Sequence, residues 1–93
     1  MNTRFKEGTI MFNSEILIRD CGDVTLAFNP DTSDMFEFND TGAEIFEMVQ
    51  AGLQYEDMIN KICSVYDVTA DEIYEDVDEI LGRMEDVGII NVK

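Results

Sequence analysis

Residues 24–46 read VTLAFNPDTSDMFEFNDTGAEIF, and a change of rhythm inside this stretch decides the fold. Val24, Leu26 and Phe28 alternate with Thr25 and Ala27, the period of two of a half-buried strand. Asn29 to Asp34 is a loop, because Pro30 cannot continue a ladder of hydrogen bonds. Met35-Phe36-Glu37-Phe38 then resumes the alternation, with Phe36 and Phe38 on one face and Met35 and Glu37 on the other. From Asn39 the period turns helical, and Gly42, Ile45, Phe46, Val49 and Leu53 share one side. Thr41 and Glu44 have the spacing of a capping box, and Asn39 or Asp40 offers a further cap.

Backward from this stretch, Ile16-Leu17-Ile18 is a branched run and Asp20-Cys21-Gly22-Asp23 a turn. Residues 15–39 therefore predict three short strands in an antiparallel meander. Residues 1–14 are polar, hold Gly8 and keep no sustained period, so a flexible N-terminal segment is expected there, ahead of a single domain over 15–93. Forward, Gly52 stops the first helix. A second follows from about Gln54, with the stripe Tyr55, Met58, Ile59, Ile62, Cys63 and Tyr66. Thr69 and Glu72 open a third helix as another capping box, and Gly88 closes it after Val87. Ile89 to Val92 supply a short closing strand or an extended tail. The expected class is α+β: a small winged-helix-like domain, its three-stranded antiparallel sheet followed by three helices.

The third helix is apolar over more of its circumference than a surface helix needs. Ile73, Val77, Ile80, Met84 and Val87 form one stripe, and Ala70, Tyr74 and Leu81 a second beside it, together about 140° against the usual ~100°. Either both edges are buried between sheet and helices, or one edge lines an open groove. The remaining face carries eight acids and one base, Arg83, which Glu79 can pair at i,i+4 spacing.

Composition removes several function classes. Of 93 residues, 21 are Asp or Glu and 6 are Lys or Arg, a formal net charge of −15. Such a chain repels phosphate backbones and anionic bilayers. A DNA-binding winged helix is opposed further, since the second and third helices hold only Lys61 and Arg83 as bases. There is no histidine, so no His base, no Ser-His-Asp or Cys-His arrangement, and no zinc-ligand spacing. The six glycines are scattered and form no phosphate loop. A calcium loop from Asp67 fails, because Glu72 stands where the sharp turn needs Gly. No apolar run reaches the ~20 residues of a membrane span, and MNTRFKEGTIMF lacks the apolar core of a secretory signal. A cytoplasmic location with Cys21 and Cys63 as reduced thiols is expected. No catalytic residue, cofactor or metal is predicted.

From Val24 to Ile90 the residues resemble the PqqD-like proteins, named for pyrroloquinoline quinone biosynthesis protein D and also called peptide-recognition elements. The likeness lies in Leu26-Ala27-Phe28-Asn29-Pro30-Asp31, in Phe38-Asn39-Asp40-Thr41-Gly42-Ala43-Glu44-Ile45, in Ile62 with Tyr66-Asp67-Val68, and in Asp76-Val77, Ile80-Leu81, Met84 and Gly88-Ile89-Ile90. Gln54 stands where the family usually has Ser or Thr, and Gly42 where it has Ala. The resemblance implies a non-catalytic protein that binds the leader segment of a ribosomally made precursor peptide and presents it to a modifying enzyme, often a radical S-adenosylmethionine protein. The peptide would join the edge from Asp34 through Met35, Phe36 and Glu37 to Phe38 as an added strand. Asp76, Ile80, Arg83 and Met84 on the third helix would flank it. A monomer or weak homodimer is expected. The alternative from charge alone is an acidic interaction or inhibitor domain that occupies a basic protein.

Overall fold

The alternation before Asn39 becomes a pleated meander in the computed structural model, which describes residues 4–38 and 40–93. Strands β2 (Leu17–Asp20), β3 (Thr25–Phe28) and β4 (Met35–Phe38) follow helix α1 (Arg4–Glu7) and strand β1 (Ile10–Phe12); helices α2 (Asp40–Gln50), α3 (Tyr55–Tyr66) and α4 (Ala70–Val87) precede strand β5 (Ile90–Val92). The order β2-β3-β4 is antiparallel throughout. Its register stacks Ile18, Ala27 and Phe36 in one cross-strand row and Leu17, Phe28 and Met35 in the next. Adjacent rows point to opposite faces. The inner face packs on the helices; the outer face leaves Leu17 and Met35 exposed.

Three aromatic rings tie β4 to α2. The Phe38 centroid lies 5.0 Å from that of Phe36 and 4.8 Å from that of Phe46. Beneath them α4 contributes Val77, Leu81 and Met84 to one core. Both edges of this wide helix are used. Tyr74 stacks on Tyr55 of α3 with centroids 6.1 Å apart, while Ile80, half-buried, faces the other way, toward β4.

Asn29, the buried polar residue of the β3–β4 loop, fixes α4 against the sheet. Its Nδ2 donates to the Val87 carbonyl at 2.8 Å, and its Oδ1 accepts from the Asp31 N–H at 3.0 Å. The helix ends there because Gly88 adopts φ 88°, which lets its N–H reach back to the carbonyls of Met84 and Glu85.

Residues 4–14 correct the expectation of a flexible segment over residues 1–14, of which 1–3 lie outside the described residues. Phe5 is 1% exposed, and Ile10 also belongs to the core. Strand β1 pairs antiparallel with β5, Ile10 opposite Val92 and Phe12 opposite Ile90. One helical turn and a three-residue strand are too short to show a period, and their partner lies at the far end of the chain. The ends of the chain thus close on each other, with Arg4 paired to Glu85 of α4. The segment is continuous with the rest of the core.

Helix starts differ from the sequence expectation in detail. Helix α2 begins at Asp40, so Thr41 lies inside it; the Asn39 alternative falls outside the described residues. Glu44 accepts a hydrogen bond from the Tyr66 hydroxyl instead. Thr69 occupies the N-cap of α4 with an extended backbone, but its side chain makes no capping bond. Gln54 caps α3 and also clasps β1: its Oε1 accepts from the Ile10 N–H at 2.7 Å and its Nε2 donates to the Ile10 carbonyl at 3.1 Å. A Ser or Thr at this position is too short to reach both.

Candidate functional site

Strand β4 hydrogen-bonds to β3 on one side only. On its other side no strand pairs with it among the described residues. A row of backbone N–H and C=O groups is therefore left to face solvent, the configuration from which an added strand grows. Beside this edge lies a cleft of about 190 Å³ lined by Phe36, Glu37, Phe38, Gly42, Ile80 and Arg83. Its walls are β4 and α4, with the first turn of α2 at one end.

Each lining residue is placed by an element that has its own reason to be there. Phe36 and Phe38 are only 6% and 3% exposed, so they are core residues whose ring edges form the floor. Ile80 and Arg83 are three positions apart on α4 and so lie on the same edge of the helix. The Arg83 guanidinium carbon sits 5.0 Å from the Phe36 ring centroid, a cation–π contact that lays the charge across the mouth of the cleft. Among the described residues Arg83 makes no ion pair, with Glu79 or otherwise. Glu37 stands on the outer bank, on the same face as Met35, which is 60% exposed.

Five of the nine residues expected from sequence converge here: Phe36, Glu37, Phe38, Ile80 and Arg83. Met35 lies on the same strand but faces outward, beside Leu17 and Phe28 in a shallow apolar hollow. Asp34 is not part of the open edge. Its N–H donates to Thr32 Oγ1 at 3.2 Å and its carbonyl accepts from the Asn29 N–H at 2.9 Å, which closes the loop on itself. Met84 is 0% exposed: its position at the centre of the apolar arc, midway between the two edges of α4, places it under the core. Asp76 is exposed on the right edge of α4 but lies about two turns before Arg83, outside the cleft. Gly42 was missed. Its place on the apolar side of α2 was read from the helical period, and the structure sets it at the end of the cleft.

Cys21 is exposed and Cys63 half-buried, and neither is in a disulfide. Among the described residues no cluster of Cys, Asp and Glu is arranged to hold a metal ion, and no helix is long and apolar enough to cross a membrane. The displaced ionisations lie elsewhere. Burial, with Asp78 alongside, pushes the Tyr55 phenol well above its usual range. Hydrogen bonding to Arg4 holds the Glu85 carboxyl below the usual carboxylate value.

Residues 25–90 match the family model described as coenzyme PQQ synthesis protein D (PqqD). The solved structure of TbiB1 in complex with the TbiA(beta) leader peptide shares the fold, with a TM-score of 0.78 at 16% sequence identity over 87% of this chain and 94% of that one. Among curated proteins none matches the sequence.

Proposed function

The chain belongs to the PqqD family, and from that premise we propose that it is a non-catalytic peptide-binding protein. It takes up the leader segment of a ribosomally made precursor peptide as a fourth strand on β4 and presents the remainder to a modifying enzyme. On the family resemblance that enzyme is a radical S-adenosylmethionine protein. The observation that carries the proposal is the unpaired edge of β4 beside a cleft with an apolar floor. TbiB1, which shares the fold, was solved in complex with the TbiA(beta) leader peptide, and this supports the same reading.

The physics divides the work. Each added backbone hydrogen bond contributes about 0.5–1.5 kcal/mol net. A four-residue edge supplies only a few of them, and ordering an extended peptide offsets much of the gain. Side-chain contacts in the cleft must supply the balance, and with it the selectivity. The test is a titration of the full chain with the leader of a precursor encoded beside it, followed by amide resonances. Movement of residues 35–38 together with Ile80 and Arg83 is expected. Movement confined to other surfaces would end the proposal. Steeply salt-dependent binding of a basic protein without a β4 footprint would favour an acidic inhibitor, since Asp71, Glu72, Glu75, Asp76, Glu79 and Asp86 all lie exposed on α4.

A further inference from the structure

The cleft has two banks of opposite charge, and that asymmetry reads as a selection rule for the peptide. A strand added to β4 alternates its side chains between the bank of α4 and the outer face. Side chains two positions apart on such a strand are separated by about 6.7 Å. Ile80 and Arg83, at i and i+3 on one helix edge, are about 5–6 Å apart at Cβ. One peptide residue therefore meets Ile80 and the Phe38 ring edge, and the residue two positions away meets the Arg83 guanidinium over Phe36. The residue between them turns outward, where Met35 and Glu37 form the cross-strand neighbours. An acid placed there would lie beside Glu37, and like charges so placed are unfavourable.

We propose that this cleft selects an extended segment with an aromatic or branched apolar residue two positions from an Asp or Glu, both turned toward α4, and a non-acidic residue between them. The inference rests on strand addition at β4 and specifies the peptide class for that site. Arg83 is the one base among the lining residues of a chain with 21 acids and 6 bases, so this is the place on the cleft where a carboxylate is welcome. Phe36 holds the guanidinium in position from below, leaving its N–H donors to turn toward an incoming carboxylate.

Selection of a random-peptide display library on the full chain tests this without knowledge of the natural ligand. Binders are sorted by whether they perturb the amides of residues 35–38. Those that do are expected to be enriched in the apolar-x-acid pattern. Arg83→Gln should weaken an acidic binder roughly tenfold, the loss of one charge-assisted contact, and should weaken an acid-free control peptide far less. Arg83→Glu should reverse the preference, favouring the peptide whose acid is replaced by Lys. Binders on β4 with no acidic enrichment, or with an enrichment that survives Arg83→Gln, overturn this inference and leave strand addition standing. A selection in which no binder perturbs residues 35–38 overturns both.

Discussion

Asn29 and Gly88 form a lock whose two halves depend on each other. A Cβ built on Gly88 would come within 2.5 Å of Asn29 Nδ2, and φ 88° is a backbone region that L-side chains rarely adopt. Gly88→Ala therefore faces two penalties, backbone strain of about 1–3 kcal/mol and a collision with a side chain that is itself held by two hydrogen bonds. Asn29→Ala removes those bonds and strands the Val87 carbonyl, for a loss of about 1–3 kcal/mol. The two effects are not additive. In an Asn29→Ala background Gly88→Ala should be milder by about 1 kcal/mol, because the obstacle has gone and only the strain is left. Urea unfolding of the four proteins in the cycle measures this. Equal penalties in both backgrounds would mean that Asn29 does not hold its place against α4.

At the scale of elements, the segments that carry a period or a turn signal were legible, and α1 and β1 were not. The strand rhythm of 24–38 and the three helical stripes placed β3, β4, α2, α3 and α4, because burying one face of each forces a period into the sequence. Nothing similar marks α1 and β1, whose order comes from a partner strand at the other terminus. Within the site, Ile80, Arg83 and Met84 were expected from the family resemblance; the first two line the cleft, whereas Met84, at the centre of the apolar arc, is buried under the core. Gln54 shows what a departure from a family pattern can hold. Gln54→Ser should keep the start of α3 while freeing Ile10, so amide exchange at Ile10 is expected to accelerate and stability to fall by about 1–2 kcal/mol. Unchanged exchange at Ile10 would assign the clasp no weight. The contact of α1 with α4 has a pH signature. Arg4 holds the Glu85 carboxyl below its ordinary value, so the stability from this pair is present above the unfolded-state pKa and fades as pH falls through the depressed folded one. The stability gap between the native chain and Arg4→Ala should accordingly close in acid. A gap that persists there would trace instead to the stacking of Arg4 over Phe5.

For the molecule as a whole, a net charge of −15 on 93 residues sets the response to salt. Self-repulsion opposes the compact state, and screening at a Debye length of about 8 Å near 0.15 M weakens it between residues farther apart than that. Added salt should therefore raise the melting temperature from its low-salt value, opposite to the loss expected of a fold held by surface ion pairs. The two exposed or half-exposed pairs among the described residues, Arg4 with Glu85 and Lys6 with Glu56, are too few to reverse the sign. The same field separates the classes of ligand. A basic partner held by the acidic face of α4 gains from long-range attraction, and its affinity should fall steeply with salt. An acidic peptide at Arg83 is repelled at long range and attracted only at contact, where screening acts least. Its affinity should hold or rise on going from about 0.01 M to about 0.15 M salt, through a faster association rate. Stopped-flow association rates for an acidic binder and its Lys counterpart give both slopes. If the acidic peptide lost affinity as steeply as a basic one, binding would be governed by some other patch, and the contact with Arg83 could not be what retains it.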